Sequence, residues 1–185
     1  MRKYIEKKLT FLPLPVLIIG TFDENGNANA MNAAWGGQYD FNEVVISLSQ
    51  HKTTDNLRNM REFTLSFATE DTLKISDYFG IVSGNNEDKI KKAGVHITKA
   101  RSVNAPIIEE YPFTLECKVK SFEDGILVGE VVDVSVDDNY LREDGKIDVE
   151  KMHIITFDSV TNSYRVLGDI VGNAFRDGIS IKTSN

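Results

Sequence analysis

The stretch SLSQHKTTDNL, Ser47 to Leu57, sets His51, Lys52, Thr53 and Thr54 side by side. The chain around them is acidic, with 28 Asp and Glu against 21 Lys and Arg and a net charge of −7. Cations and hydroxyls packed this closely suit an oxyanion such as a phosphate. An apolar run ends at Ser47-Leu48-Ser49, and a segment that reads as a helix follows at once. The first N–H groups of that helix are free, and the positive end of its dipole points at whatever the loop holds. His51 and Lys52 would add charge, Thr53 and Thr54 hydroxyl donors, and Asn56 would hold the loop or a ligand oxygen. Ordinary capping by Thr53 or Thr54, with two solvated cations beside it, uses the same residues.

Two further stretches have similar potential. In DYFGIVSGNNEDK, Asp77 to Lys89, the Ser83-Gly84-Asn85 segment can form a backbone nest for an oxyanion, with Lys89 in the following helix. A helix–loop–helix connection with a solvated lysine is the simpler alternative. In MNAAWGGQYD the small residues Ala33, Ala34, Gly36 and Gly37 let backbone approach a flat ligand. Asn32 offers an amide there, and Trp35 a stacking surface or, equally, a core tryptophan beside a bulge.

These residues need a frame. At 185 residues with 41% hydrophobic and 26% charged content, the chain suits one domain, residues 1–185, with a single core. The acidic balance argues against nucleic acid or an anionic membrane as a partner. One cysteine excludes an internal disulfide and a multi-cysteine metal site, and no metal is expected. Cys117 sits in FTLECKVKSF on the face shared by Phe113, Leu115 and Val119, which reads as an inert core thiol. The basic N-terminus imitates a leader, but Glu6, two prolines and the polar DENGN argue for a buried strand of a cytoplasmic protein. The apolar run is too short to span a bilayer.

Strands are expected at 15–22, 28–35, 43–49, 63–68, 113–122, 126–136, 153–158 and 163–168. Asn25-Gly26 predicts a type I′ hairpin between the first two, and Glu123-Asp124-Gly125 a turn between the long pair. Helices are expected at 53–61, at 71–80 closed by Gly80, and at 86–94 closed by Gly94. This order lacks regular strand–helix alternation and has no G-x-G-x-x-G after the first strand, so a parallel dinucleotide-binding fold is disfavoured. Antiparallel strands that must cover their edges favour closure into a barrel.

Together PLPVLIIGT, NAAWGG, VVISLSQHKTTDNL, DYFGIVSG…DK and YRVLGDIVGNAF, across about residues 10–178, resemble the flavin reductase-like family, and within it the flavoredoxin-like branch. The resemblance implies a mainly β protein with short helices, an FMN-binding split β-barrel, antiparallel and Greek-key-like. It implies non-covalent FMN, a homodimer whose interface helps form the site, and hydride transfer from NADH or NADPH through the flavin to a small acceptor or redox partner protein. By position, Asn32, Ala33, Ala34 and Trp35 match the segment along the isoalloxazine ring, and Ser47 and Ser49 the strand end near the ribityl chain. His51, Lys52 and Thr53 match the phosphate loop, with His51 departing from an arginine there. Tyr78, Gly80, Ser83 and Lys89 match the loop that closes over the cofactor. No protein nucleophile is required, since the flavin carries the reaction.

Other readings place His153 near a substrate or in a structural role at the barrel mouth, and Arg165 on a phosphate or as a strand-edge charge; His96 has no assigned role. Rival functions are an electron carrier without its own reductase activity, a split barrel holding haem or pyridoxal phosphate, and a hydrolase using Ser47 or Ser49 with His51. Neither serine lies in a G-x-S-x-G elbow.

Overall fold

The computed structural model of the chain describes residues 1–4 and 11–182. Glu6, part of the case against a leader, lies outside the described residues. In chain order the strands are β1 (Leu14–Pro15), β2 (Leu17–Phe22), β3 (Ala28–Ala33), β4 (Gly36–Asp40), β5 (Glu43–Ser47), β6 (Glu62–Phe67), β7 (Ile97–Lys99), β8 (Pro106–Ile108), β9 (Phe113–Glu123), β10 (Ile126–Val136), β11 (Ile155–Asp158) and β12 (Ser163–Val166). The helices are α1 (Lys52–Met60), α2 (Leu73–Ile81), α3 (Lys89–Ala93), α4 (Val149–Met152) and α5 (Ile179–Lys182).

Seven strands form one antiparallel sheet in the order β3-β2-β6-β9-β10-β5-β4. Met31 and Ala33 of β3 share one buried cluster with Val44 and Ile46 of β5, although four strands separate them in that order. The sheet therefore curls into a half-barrel around Leu17, Ile19, Phe63, Leu65, Cys117 and Leu127. A second cluster lies outside it: Val16, Ile18, Ala30, Phe79 and Ile155 join α2 and β11 to the outer face of β2 and β3. The run VLIIG thus reads as unbroken apolar because both faces of β2 are buried. Burial pushes the Cys117 thiol up to about 12, so it stays protonated in the core. No helix among the described residues is long and apolar enough to cross a membrane.

The hairpins form where expected, with one exchange of turn type. At Asn25-Gly26 only Gly26 has positive φ, +80°, and Gly26 N–H donates to Asp23 O at 2.9 Å. That is a three-residue turn with a glycine bulge, because the Asp23 carboxylate accepts the Asn25 and Asn27 N–H groups and Asn25 stays out of the left-handed region. The two-residue I′ geometry occurs instead at Asp124-Gly125, φ +49° and +80°, joining β9 to β10.

Other boundaries also moved. β3 stops at Ala33, and β4 begins at Gly36, a strand hidden by its glycines. α2 continues through Gly80 to Ile81 and ends on extended Val82, whereas α3 does close on left-handed Gly94. β11 starts at Ile155, because His153 takes φ +49° to end α4. β7 and β8 were not anticipated. Thr114 and Glu116 alternate with the apolar residues of β9 yet are themselves buried, since the β7–β8 region covers that face. The Glu116 carboxylate accepts the Arg101 and Ser102 N–H groups at 3.2 and 2.6 Å.

Candidate functional site

The first turn of α1 is capped by His51, not by a threonine. His51 N–H donates to Thr54 Oγ1 at 2.9 Å, and Thr54 Oγ1 donates back to His51 O at 2.7 Å. Thr54 is thereby spent on the helix. The Lys52 and Thr53 N–H groups keep no acceptor among the described residues, although Asp55 places one carboxylate in the first turn. Thr53 is buried, and its Oγ1 accepts from Asn29 Nδ2 of β3 at 2.7 Å. Asn56, one turn on, donates to Thr21 Oγ1 at 3.0 Å and so pins α1 to β2.

Two lysines converge on this end. Lys52 Nζ lies 3.7 Å from Asp23 Oδ2. Burial alone would raise the Asp23 carboxyl, but hydrogen bonds from Asn27 and Asn25, with the Lys52 charge, hold it below the usual carboxylate range. Lys89 is 4% exposed, and its Nζ donates to Phe79 O at 3.2 Å. Burial, and then the nearby Lys52 charge, push its pKa down to about 8. A buried ammonium held by one carbonyl retains two unused donors and favours an anion beside it.

A cleft of about 210 Å³ opens between these groups, lined by Asn29, Met31, Asn32, His51, Lys52, Thr53, Phe79 to Gly84 and Lys89. Asn32 Nδ2 donates to Ser76 O at 2.9 Å, fixing β3 against α2, and Gly80 packs on the Asn32 side chain. Gly84 presses still closer: a Cβ there would sit 2.1 Å from Asn29 Oδ1, so only glycine lets the loop reach the cleft wall. The loop itself is a Ser83–Asn86 turn, and none of its residues takes the left-handed conformation that a nest requires.

Beyond Asn32 and Gly80 the cleft meets a second hollow of about 320 Å³, lined by Val16, Asn32, Ala34, Asp77, Gly80, Ile81, Phe157 and Tyr164. Tyr164 Oη donates to Asp77 Oδ1 at 2.7 Å; burial and then that carboxylate push its pKa up to about 12. The pair forms one groove, cationic at one end and apolar to aromatic at the other.

Of the sequence-predicted residues, Asn32, His51, Lys52, Thr53, Gly80, Ser83 and Lys89 line the first cleft and Ala34 the second. Ala33 faces the barrel core and Tyr78 packs in the outer core. Ser47 and Ser49 are exposed and line neither hollow, and Trp35 is 70% exposed, so it is no core tryptophan. Ser49 Oγ lies 3.3 Å from His51 Nε2, but no carboxylate pairs with His51 among the described residues, which leaves that serine without an activating triad. His153 Nδ1 pairs with Glu70 at 3.0 Å and His96 with Glu110 at 2.8 Å, both away from the groove. Arg165 pairs with Asp158, whose carboxyl it pulls down to about 2. No His, Cys, Asp or Glu cluster among the described residues could hold a metal ion.

Asn29, Met31, Phe79, Ile81 and Val82 escaped the sequence reading, as did the hydroxyl of Tyr164. Asn29 left a usable signal: an asparagine inside the strand ANAMNA disfavours β structure and needs a reason to be there.

A model of the flavin reductase like domain matches residues 9–150. Among solved structures, flavoredoxin of Desulfovibrio vulgaris (Miyazaki F) is 31% identical with a TM-score of 0.92, covering 96% of this chain and 100% of its own. Flavoredoxin from Methanosarcina acetivorans is 27% identical with a TM-score of 0.88, covering 98% and 99%. An FMN-binding domain of a flavin reductases-like enzyme from Shewanella baltica, 17% identical with a TM-score of 0.77 over 86% and 88%, shares the fold.

Proposed function

We propose that this chain, which belongs to the flavin reductase-like family, holds FMN non-covalently in the groove between α1, β3 and α2. Carrying the reading is the convergence of Lys52, buried Lys89, the Thr53 hydroxyl and two free N–H groups at one end of an elongated groove. That donor set suits a phosphate dianion. The middle of the groove, with Met31, Asn32 and Gly80, suits a polyol chain, and Ala34, Phe157 and Tyr164 suit a flat ring.

Bound FMN would supply two-electron chemistry, taking hydride at N5 from NADH or NADPH and passing electrons to a flavin, a small acceptor or a redox protein. The protein's share is placement. Lys52 and Lys89 would neutralise the phosphate, and Thr53 with the Lys52 and Thr53 N–H groups would fix its oxygens. Asn32, held by Ser76 O, would set the ring's depth, and the Gly80 turn would let α2 lie against it. Asp77 would orient the Tyr164 phenol at the ring end by accepting its hydroxyl hydrogen bond.

A homodimer accompanies this proposal. Trp35, Tyr39 and Phe41 beside and on the β4 edge, and Ile170, Val171 and Phe175 in the chain after β12, expose apolar surface that a second copy would cover. A carrier role without NAD(P)H oxidation is the second reading, favoured by the two flavoredoxins among the relatives. Anaerobic mixing of the flavin-loaded protein with NADH and NADPH separates them. Bleaching of the oxidised flavin band supports the reductase; persistence with both donors leaves the carrier. A purified protein with a Soret band and no flavin bands would overturn both.

A further inference from the structure

A hollow of about 470 Å³ lies inside the half-barrel and shares no residue with the groove. β2 divides the two: Leu17 faces the hollow, while its neighbour Val16 faces the ring end. Leu17, Val44 and Leu65 are buried at its base. Phe67, Leu115 and Val131 pack against the same core from β6, β9 and β10 yet are only half-buried, so the core stops short of filling the curl of the sheet. Phe67 is a fixed flat wall, because its ring stacks on Phe113 with centroids 4.7 Å apart and planes 9° from parallel. The volume falls in the range of small-molecule pockets, roughly 300–1,000 Å³, and its apolar surface favours an apolar occupant over water.

The mouth of this hollow is acidic. Asp40 and Glu43 line it, and no Lys, Arg or His does. Glu43 pairs with Lys120, whose ammonium also faces Glu130 and Asp40, so three carboxylates share one cation. Asp40 Oδ1 accepts the Phe41 N–H at 2.7 Å, a contact that leaves the carboxylate its charge, and the carboxylate makes no other hydrogen bond among the described residues. Gln38 Nε2 donates to Asp40 O at 3.1 Å and braces the turn that carries it. A ligand with an apolar body and a positive end complements both parts, whereas an anion would be repelled.

We propose that the half-barrel is a second ligand site, for a small amphiphilic amine whose apolar or aromatic body lies between Phe67, Leu115 and Val131 and whose ammonium sits at Asp40. The proposal stands apart from the flavin reading, since the two sites have no residue in common. Phe41, at the mouth and 96% exposed, belongs to the edge that the proposed dimer would cover. A second copy that filled the hollow with its own side chains is the competing occupant.

Calorimetric titration of the full chain with naphthylmethylamine, naphthylmethanol and naphthoate, with and without saturating FMN, tests the proposal. The amine should bind about threefold to fivefold more tightly than the alcohol, and the carboxylate more weakly than either. FMN should change the amine's affinity by less than about twofold, as expected for separate sites. Asp40→Asn should bring the amine to within about twofold of the alcohol. Leu115→Trp and Val131→Phe fill the hollow from adjacent strands, and each should weaken amine and alcohol alike by at least about tenfold. Two filling variants keep the test decisive should one misfold. Equal binding of amine and carboxylate, displacement of the amine by FMN, or amine binding that survives both filling variants would overturn the proposal. Binding of none of the three probes would overturn it in favour of the second copy. Failure of FMN to bind would count against the flavin reading alone.

Discussion

At one end of the groove Lys89, Thr53 and Asn29 are no more than 4% exposed, while near the other end Trp35 and Ile81 are 70% and 74% exposed. The cationic end is finished within one chain, with its groups fixed by Phe79 O, by the Asn29–Thr53 bond and by the His51 cap. The ring end has a floor, Asn32 and Gly80, and one wall, Phe157 and Tyr164, and is open elsewhere. The difference separates two tasks. On the proposed function, a phosphate would need low dielectric and fixed donors, which the buried end has, and exchange of hydride or electrons would need access, which the open end leaves.

The largest expected effect comes from removing the buried cation. Lys89→Met should weaken FMN up to about a hundredfold and riboflavin hardly at all, since a charge-assisted contact is worth roughly 1.5–3 kcal/mol. The fold should tolerate it, because the variant removes a buried charge. Equal losses for both flavins, by fluorescence titration, would erase the contrast between the two ends. Lys52→Ala, at a more exposed position already paired with Asp23, should cost FMN about tenfold by the same titration.

A pH series sharpens the contrast. With Lys89 at about 8, free protein loses the charge as pH rises through that value, so FMN affinity should fall up to about tenfold between pH 7 and 9. Riboflavin affinity should stay flat, and Lys89→Met should abolish the slope. Linkage gives stability the opposite sign. The unfolded lysine keeps its proton to near its ordinary value while the folded one releases it, so flavin-free stability should rise from pH 8 toward 10 in urea titrations. Gly84→Ala should displace Asn29 and cost FMN several-fold, with about 1 kcal/mol of stability. Smallest is Trp35→Ser: less than about 0.5 kcal/mol in monomer stability, but a shift toward monomer by light scattering if a second copy covers the ring end.

How much of this the sequence made legible differs between the same two regions. The cationic end was readable because Lys52, Thr53, Ser83 and Lys89 lie in loop-to-helix junctions whose polar residues stand out against apolar runs. Even there, capping fell to His51 because Thr54 side-chain geometry, not residue preference, decides which residue closes the turn. Asn56, which reads as holding the loop or a ligand oxygen, straps α1 to Thr21, a contact 35 positions away that no local pattern reveals. The ring end was harder. Trp35 reads either as a stacking surface or as a core tryptophan, and its exposure follows from a break between β3 and β4 that the glycines of GGQYD conceal. Glu116 alternates with the apolar residues of β9, yet the β7–β8 region covers it and satisfies it with backbone N–H groups. Tyr164 and Phe157 reach the groove only because β1 recruits β11 and β12 into a second sheet.

Comparison of FMN with riboflavin on the wild-type protein tests most directly whether the cationic end is a phosphate site. Two charge-assisted contacts in a buried setting predict FMN binding at least about a hundredfold tighter than riboflavin by fluorescence titration at pH 7. Indistinguishable affinities for the two flavins would contradict the account.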